Sequence, residues 1–151
     1  MIRIFTTLDQ VETALGDELG PTDALVVDQD RIDAFAAATG DYQWIHVDPV
    51  RAAAESPFGV TIAHGYLTLS LMPYFGQRLF RLDFGTARIN YGLDKVRFPA
   101  PVPVGSALRG KATFTALKTI PAGAVLTTRY VLAVDGAAKP ACIAESMILL
   151  S

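Results

Sequence analysis

The sequence lacks the residues that several functional classes require. One cysteine, Cys142, among 151 residues excludes an internal disulfide framework, and two histidines, His46 and His64, exclude a metal site built from three histidines of one chain. The 13 Lys and Arg nearly balance the 15 Asp and Glu, and the formal net charge is -2. That balance argues against broad electrostatic attraction to nucleic acid or to an anionic membrane, so we expect neither as a partner.

A long apolar segment of the kind that crosses a membrane is also missing. The longest apolar stretch, 62–80, is interrupted by His64, Gln77 and Arg78, by two glycines and by one proline. A membrane-spanning helix needs about 20 predominantly apolar residues. The first residues show no apolar core followed by a small-residue cleavage site, so no secretory signal is expected. We therefore expect a cytoplasmic protein.

The composition is typical of a globular domain. Apolar residues make up 51% of the chain and charged residues 19%. A chain of this length buries roughly 68–70% of its unfolded surface, which is enough for a core without a disulfide or a structural metal. No linker, internal repeat or low-complexity segment divides the sequence. Residues 1–151 are therefore predicted to form a single domain.

Helix signals are concentrated in the first half of the chain and strand signals in the second. Caps and apolar residues at helical spacing predict helices over 7–15, 28–40 and 48–55, and a long apolar helix over about 64–80 that Pro73 should kink. Apolar runs between turn signals predict strands over 24–27, 88–98, 107–117, 125–134 and 141–150. This order predicts an α+β fold with one long helix against an antiparallel sheet, and no Gly-rich nucleotide-binding motif is present.

The segment between the second and third predicted helices carries the residues best suited to chemistry. Asp41 and His46 lie five positions apart. On a helix that spacing separates the side chains by about 140°, and on a strand it places them on opposite faces. They can meet only on an irregular loop that folds back, and Gly40 and Asp48 bracket such a loop. A carboxylate and an imidazole that converge can hold a water molecule and transfer its protons.

An ordinary structural role is the alternative for these residues. An aspartate after a helix-ending glycine is commonly a turn residue, and a histidine before Asp-Pro commonly lies at the surface. We interpret Asp48 as a helix cap and Cys142 as an inert packing group. No Gly-x-Ser-x-Gly motif and no Cys-His-Asp arrangement supports a serine or cysteine nucleophile.

A second feature is the glycine at the start of the long predicted helix. The Gly65 N–H has no acceptor within that helix and lies at the positive end of its dipole. Glycine permits close approach, so a carbonyl oxygen placed there would be polarised, and such a donor contributes on the order of a hundredfold or more in rate. His64 is assigned to substrate contact or, alternatively, to a structural link between loop and helix.

Three segments together resemble a known family. They are FAAATGDYQWIHVD at 35–48, FGVTIAHG at 58–65 and NYGLDKVRFPAPVPVG at 90–105. These motifs resemble those of the MaoC-like (R)-specific enoyl-CoA hydratases, which have a hot-dog fold, and the resemblance extends over roughly 28–150. The family loop is commonly Asp-x-Asn-Pro-x-His; Gln43 and Trp44 replace Asn and Pro here, as in a subgroup with Asp-x-Gln-Trp-Ile-His.

The resemblance implies a long central helix wrapped by an antiparallel sheet, with a catalytic loop around 40–65 that overhangs it. It implies that Asp41 and His46 hold the catalytic water and that the Gly65 N–H receives the carbonyl of a trans-2-enoyl thioester. Asp41 is expected to be the base and His46 the proton donor, although a coupled pair can divide these roles differently. The product would be the (R)-3-hydroxyacyl thioester, in a reversible hydro-lyase reaction.

The resemblance also implies a homodimer or larger even oligomer whose acyl site lies between subunits. Neither a metal nor a redox cofactor is expected, and CoA or an acyl-carrier protein would carry the substrate. Lys95, Arg97, Arg109 and Lys111 are either contacts for its phosphates or simply solvated surface charges. The alternatives to a hydratase are a hot-dog acyl-CoA thioesterase and a non-catalytic acyl-CoA-binding or partner subunit.

Overall fold

The computed structural model describes all residues, 1–151. None of its helices combines the length and apolar character needed to cross a bilayer. The elements in chain order are β1 (Arg3–Phe5), α1 (Leu8–Thr13), β2 (Glu18–Leu19), β3 (Leu25–Val27), α2 (Gln29–Thr39), α3 (Trp44–Val47), α4 (Pro49–Glu55), α5 (Gly65–Ser70), α6 (Met72–Leu79), β4 (Phe80–Leu82), β5 (Arg88–Arg97), β6 (Ser106–Ile120), β7 (Gly123–Val134) and β8 (Cys142–Leu150).

The second half of the chain forms one antiparallel sheet. Its strand order is β2-β6-β7-β8-β5, and β3 pairs with β6 beside β2. The turn that joins β6 to β7 consists of Pro121 and Ala122, directly before the predicted Gly123, and the turn from β7 to β8 lies at Asp135-Gly136, as predicted. The four long strands and the α+β class expected from the sequence are therefore confirmed. One edge of the sheet, β5, has no neighbour on its outer side.

Helix α6 packs directly against the sheet because two glycines allow close contact. A Cβ at Gly110 of β6 would lie 2.7 Å from the Cβ of Phe75, which is fully buried. A Cβ at Gly76 would lie 2.6 Å from the hydroxyl of Tyr130 on β7. These contacts place the helix within a hydrophobic cluster of 25 buried residues that both sides of the fold supply.

The long apolar helix predicted over 64–80 is divided in two, and this corrects the sequence interpretation. α5 ends with Leu71 as its C-cap, and the same residue is the N-cap of α6. Pro73 lies in the first turn of α6, where its missing N–H has no helical acceptor to lose. The interruption is local, because Leu71 keeps right-handed helical dihedrals, its N–H donates to the Leu67 carbonyl and its own carbonyl accepts from the Phe75 N–H.

Three short strands were not predicted. β1 pairs in parallel with β4, with Arg3 opposite Phe80 and Phe5 opposite Leu82, and β2 adds two residues to the edge of the main sheet. These elements are two or three residues long, too short for a recognisable alternation. Their partners lie far away in the sequence, so no local signal identifies them.

Candidate active site

The catalytic loop expected from the sequence begins where α2 ends. Gly40 has φ +81°, a left-handed conformation that glycine adopts without steric cost, and its N–H donates to the Ala36 carbonyl. The chain then forms the single turn α3 before α4 begins. The Asp48 carboxylate accepts a hydrogen bond from the Arg51 N–H at 3.0 Å, which confirms Asp48 as a helix cap.

This loop brings three polar side chains together. A carboxylate oxygen of Asp41 and one ring nitrogen each of His46 and His64 all lie within 4.8 Å of one another. Asp41 is exposed, whereas His46 and His64 are only 7% and 2% exposed. The irregular loop thus achieves the convergence of Asp41 and His46 that no regular helix or strand permits at a spacing of five.

The His46 ring is held by the backbone of a neighbouring segment. Its Nδ1 lies 2.7 Å from the carbonyl oxygen of Ile62, and the Ile62 N–H donates in turn to the Ile45 carbonyl at 3.1 Å. A carbonyl oxygen only accepts, so His46 Nδ1 carries the hydrogen and, in the neutral ring, Nε2 carries the lone pair. Burial lowers the pKa of His46 below its ordinary value of 6.5, and His64 lowers it further, against the hydrogen bond to Ile62 and the charge of Asp41.

His64 contacts both Asp41 and His46. Its Nε2–H donates to the backbone carbonyl of Asp41 at 2.9 Å, which joins the loop to the residue preceding α5. Its ring stacks on His46 with centroids 3.9 Å apart and an angle of 23° between planes, and it also contacts Phe35. His64 Nδ1 is buried without a hydrogen-bond partner. These contacts are of the kind expected of a structural link.

Two histidines and an aspartate are also a possible donor set for a transition metal. An imidazole lone pair lies in the plane of its ring, and a metal must lie close to the ring plane of each histidine that binds it. The nearly parallel stacking of His46 and His64 directs their lone pairs side by side and not toward one point. The arrangement therefore does not fit chelation by both rings.

An apolar cavity of about 260 Å³ lies beside this cluster. No charged residue lines it; its walls include Phe58, Phe98 and Val102, and Ala63 and Gly65 bring it to either side of His64. The Phe98 ring packs on Gly65, where a Cβ would lie only 3.3 Å from the ring. Glycine at 65 therefore keeps the backbone at the cavity open to contact.

The Gly65 N–H makes no backbone hydrogen bond, because it lies in the first turn of α5. The dipole of α5 contributes less to polarising a carbonyl at Gly65 than the predicted long helix would, because α5 has only six residues. The Gly65 N–H, which lies at the edge of the cavity, is therefore the group that can donate a hydrogen bond to a carbonyl oxygen there.

Sequence reasoning missed several residues of this site. The Ile62 carbonyl that orients His46 is a backbone group and has no residue-type signal. Phe58 and Phe98 lie within the family motifs, but the motifs do not show that these rings line a cavity. Gln29, which donates to the His46 carbonyl, lies outside the motifs. Cys142, by contrast, is fully buried in β8, and burial raises its pKa to about 11, as expected of an inert thiol.

Comparisons with known proteins show the family to which the chain belongs. Residues 10–135 match the family described as "MaoC like domain". The chain is 45% identical over 148 residues to 3-hydroxyacyl-thioester dehydratase Z of Mycobacterium tuberculosis, and the match covers 97% of each protein. It is 37% identical over 97 residues to the (R)-specific enoyl-CoA hydratase of Aeromonas caviae, covering 64% of this chain and 68% of that protein.

The solved structures show the same fold. The (R)-hydratase from A. caviae involved in PHA biosynthesis superposes with a TM-score of 0.73 at 26% identity, covering 91% of this chain and 96% of that one. Dehydratases and hydratases of this kind are lyases, so the enzyme class expected from the sequence is confirmed. The chain belongs to the MaoC-like dehydratase family and has its hot-dog fold.

Proposed function

We propose that the protein is an (R)-specific enoyl-CoA hydratase, which adds water reversibly to trans-2-enoyl thioesters and gives (R)-3-hydroxyacyl thioesters. The observation that carries the proposal is the convergence of Asp41 and His46 beside an uncharged cavity that reaches the free N–H of Gly65. Water, a proton-transfer pair, an oxyanion donor and a site for an alkyl chain are the parts that this reaction needs.

His46 is the proton acceptor in the hydration direction. Its Nδ1–H is engaged by Ile62, and burial lowers its pKa, so at neutral pH the ring is uncharged and offers the Nε2 lone pair. Asp41 orients the water and stabilises the imidazolium that forms. This division makes His46 the base in place of Asp41 and keeps His46 as the proton donor, because a neutral ring with its only N–H engaged can donate to substrate only after it has taken a proton from water.

The reaction balances without an external acid or oxidant. The water oxygen bonds to C3 while His46 Nε2 takes one of its protons, and the C2–C3 π electrons move toward the thioester oxygen. The Gly65 N–H stabilises the charge that develops there. The proton on Nε2 is then delivered to C2, the C=O bond re-forms and the pair returns to its starting state.

The cavity accommodates the acyl chain. Its surroundings are apolar and uncharged, and it begins at the glycine that would contact the thioester carbonyl. Among the cationic residues considered for CoA phosphates, Arg109 is paired with Asp135 and Lys111 with Glu18. Lys95 is paired with Glu145 at 3.7 Å, whereas Arg97 has no carboxylate partner and directly precedes Phe98, so Arg97 is the best placed of the four to meet a carrier at the cavity mouth.

The active unit is a homodimer or a larger even oligomer. Residues 88–95 of the edge strand β5 are all exposed, and the apolar side chains of Ile89, Tyr91 and Leu93 remain 52%, 58% and 48% exposed. An exposed, apolar edge strand is a surface that pairs with another strand. Twofold pairing of two copies closes this edge, and it places the second copy close to Phe98 and thus to the cavity.

No cofactor takes part in this proposal. Addition of water to a conjugated thioester changes no net oxidation state, and the stacked histidines are poorly arranged for a metal. We place the enzyme in the cytoplasm, where a buried, unpaired thiol such as Cys142 is ordinary.

The test is a pair of assays on the purified protein with trans-2-enoyl-CoA substrates. Loss of enoyl absorbance together with chromatographic identification of the (R)-3-hydroxyacyl product is expected. A parallel assay for free thiol separates hydration from thioesterase activity. Release of CoA without loss of the enoyl group would overturn the proposal in favour of a thioesterase, and no turnover in either assay would favour a non-catalytic subunit.

A further inference from the structure

The side chain of Gln29, the first residue of α2, links two segments of the candidate site. Its Nε2 donates to the backbone carbonyl of His46 at 2.8 Å, and its Oε1 accepts from the Thr61 hydroxyl at 2.5 Å. A third hydrogen bond, from Nε2 to the Asp33 carboxylate at 2.9 Å, lies on the exposed side of α2. Both donors and the acceptor of the amide are therefore used.

These hydrogen bonds join α2 to the two backbone segments that hold the His46 imidazole, namely α3 and the segment 61–62. Gln29 is 17 residues before His46 and 32 before Thr61. Thr61 is 1% exposed and adjoins Ile62, whose carbonyl accepts from His46 Nδ1. The amide thus ties the backbone of His46 to the segment that orients its ring. Nothing in the chain offers a second side-chain bond to the His46 carbonyl.

We propose that Gln29 is a positioning residue for His46, and that it sets the place and the burial of the imidazole without touching substrate. The inference rests on the proposed function for its kinetic consequences, but its structural content stands independently of the substrate. Displacement of a catalytic group by about 1 Å can cost on the order of 100-fold in rate. Loss of the Gln29 amide leaves α3 attached to the 61–62 segment by the Ile45 and His46 contacts alone.

The electrostatic surroundings of His46 allow this positioning to be measured. The charged or titratable groups that face its ring are Asp41 on the same loop and His64 before α5, while Asp33 on α2 faces the Gln29 amide. Burial is the main cause that lowers the pKa of His46. If the ring loosens and takes up water, its pKa rises toward the ordinary value of 6.5.

The experiment compares Gln29→Met, which keeps the side-chain length without hydrogen bonds, with Asp33→Ala as the matched control. Asp33→Ala removes a contact of the same amide but leaves its bond to His46. Gln29→Met should lower kcat about 10- to 100-fold with KM changed by less than about threefold, since Gln29 contacts no substrate. Asp33→Ala should retain near-normal kcat.

The second readout is an NMR titration of the histidine ring protons, which is simple because the chain has only two histidines. The His46 pKa should rise in Gln29→Met and stay unchanged in Asp33→Ala, with thermal melting verifying the fold of both. Gln29→Ala, which removes the bonds to His46 and Thr61 without adding a charge, takes the place of Gln29→Met if that variant does not fold.

The inference would be overturned if folded Gln29→Met showed an unchanged kcat and an unchanged His46 pKa. It would also be overturned if Asp33→Ala changed kcat and the His46 pKa as much as Gln29→Met does. An inactive wild type would overturn the proposed function and not this inference, because the NMR shift is measured without substrate. A rise in the His46 pKa with an inactive wild type would therefore retain Gln29 as the residue that positions the ring.

Discussion

The chain-length preference of the enzyme should follow from the cavity beside Gly65. Its volume is about 260 Å³, and a methylene group takes about as much space as a water molecule in the liquid, roughly 30 Å³. The cavity therefore accommodates a tail of medium length, on the order of ten methylene groups. Each one transferred from water contributes about 0.8 kcal/mol, which corresponds to about fourfold in kcat/KM.

The perturbation is Phe98→Ala, which removes one wall of the cavity. In the wild type, kcat/KM on saturated-tail trans-2-enoyl-CoA substrates should rise about fourfold per methylene and level off when the cavity is full. Phe98→Ala should shift this plateau to longer chains and reduce kcat/KM for short ones, because a short tail leaves the enlarged cavity partly unfilled. The measurement is an enoyl-absorbance rate series from four-carbon to sixteen-carbon substrates.

Two comparisons decide the interpretation. Phe84→Ala removes an aromatic ring outside the cavity and should leave the chain-length profile unchanged. A uniform fall in kcat/KM for all chain lengths in Phe98→Ala, with the plateau in its original place, would refute the assignment of the cavity to the acyl chain. That result would assign the cavity to the part that all substrates share, the pantetheine arm.

The remaining predictions concern the pair, its pH dependence, the oxyanion donor and the assembly. Asp41→Asn and His46→Gln should each lower kcat about 100- to 10,000-fold with unchanged melting, whereas Asp48→Asn, which keeps a capping side chain, should retain activity. Because the folded pKa of His46 lies below 6.5 and the unprotonated ring is the active form, kcat/KM should fall on acidification with a midpoint below pH 6.5. In the same window the unfolded chain binds more protons than the folded one, so denaturant titrations should show stability falling as pH drops below 6.5. Gly65→Pro should reduce kcat more than Gly65→Ala, which places a Cβ at the same 3.3 Å from the Phe98 ring but keeps the N–H, and a substrate-analogue complex with its carbonyl oxygen far from the Gly65 nitrogen would contradict that role. Leu93→Asp on β5 should yield a monomer by sedimentation with little activity; a fully active monomer would disprove the shared pocket.

Local chemistry in the sequence determined the ends of the helices and the main strands. Thr7, Asp28 and Asp48 cap α1, α2 and α4 by accepting from the N–H three residues ahead, and Gly40 ends α2 in the left-handed conformation. Such interactions act over less than one helical turn, so residue type and position suffice to predict them. The four long strands follow from apolar runs and turn residues in the same way.

The motifs likewise sufficed to identify Asp41, His46, His64 and Gly65 as candidates, and spacing sufficed to require an irregular loop. Spacing did not determine which proton each histidine carries. His46 obtains its tautomer from the carbonyl of Ile62, 16 residues away, and its lowered pKa from burial and the stacked ring of His64. Division of acid and base roles is therefore a property of the packed site.

Only the tertiary structure decided the contacts between segments distant in the chain. The parallel pairing of β1 with β4, the cavity wall formed by Phe98 against Gly65 and the Gln29 amide between His46 and Thr61 each join residues with no local relationship. Pro73 predicted a disturbance of the central helix, but the position of the interruption, at Leu71, was decided by the structure. Short-range preferences determine each element, but the geometry of a site depends on packing between elements, where many weak contacts act together.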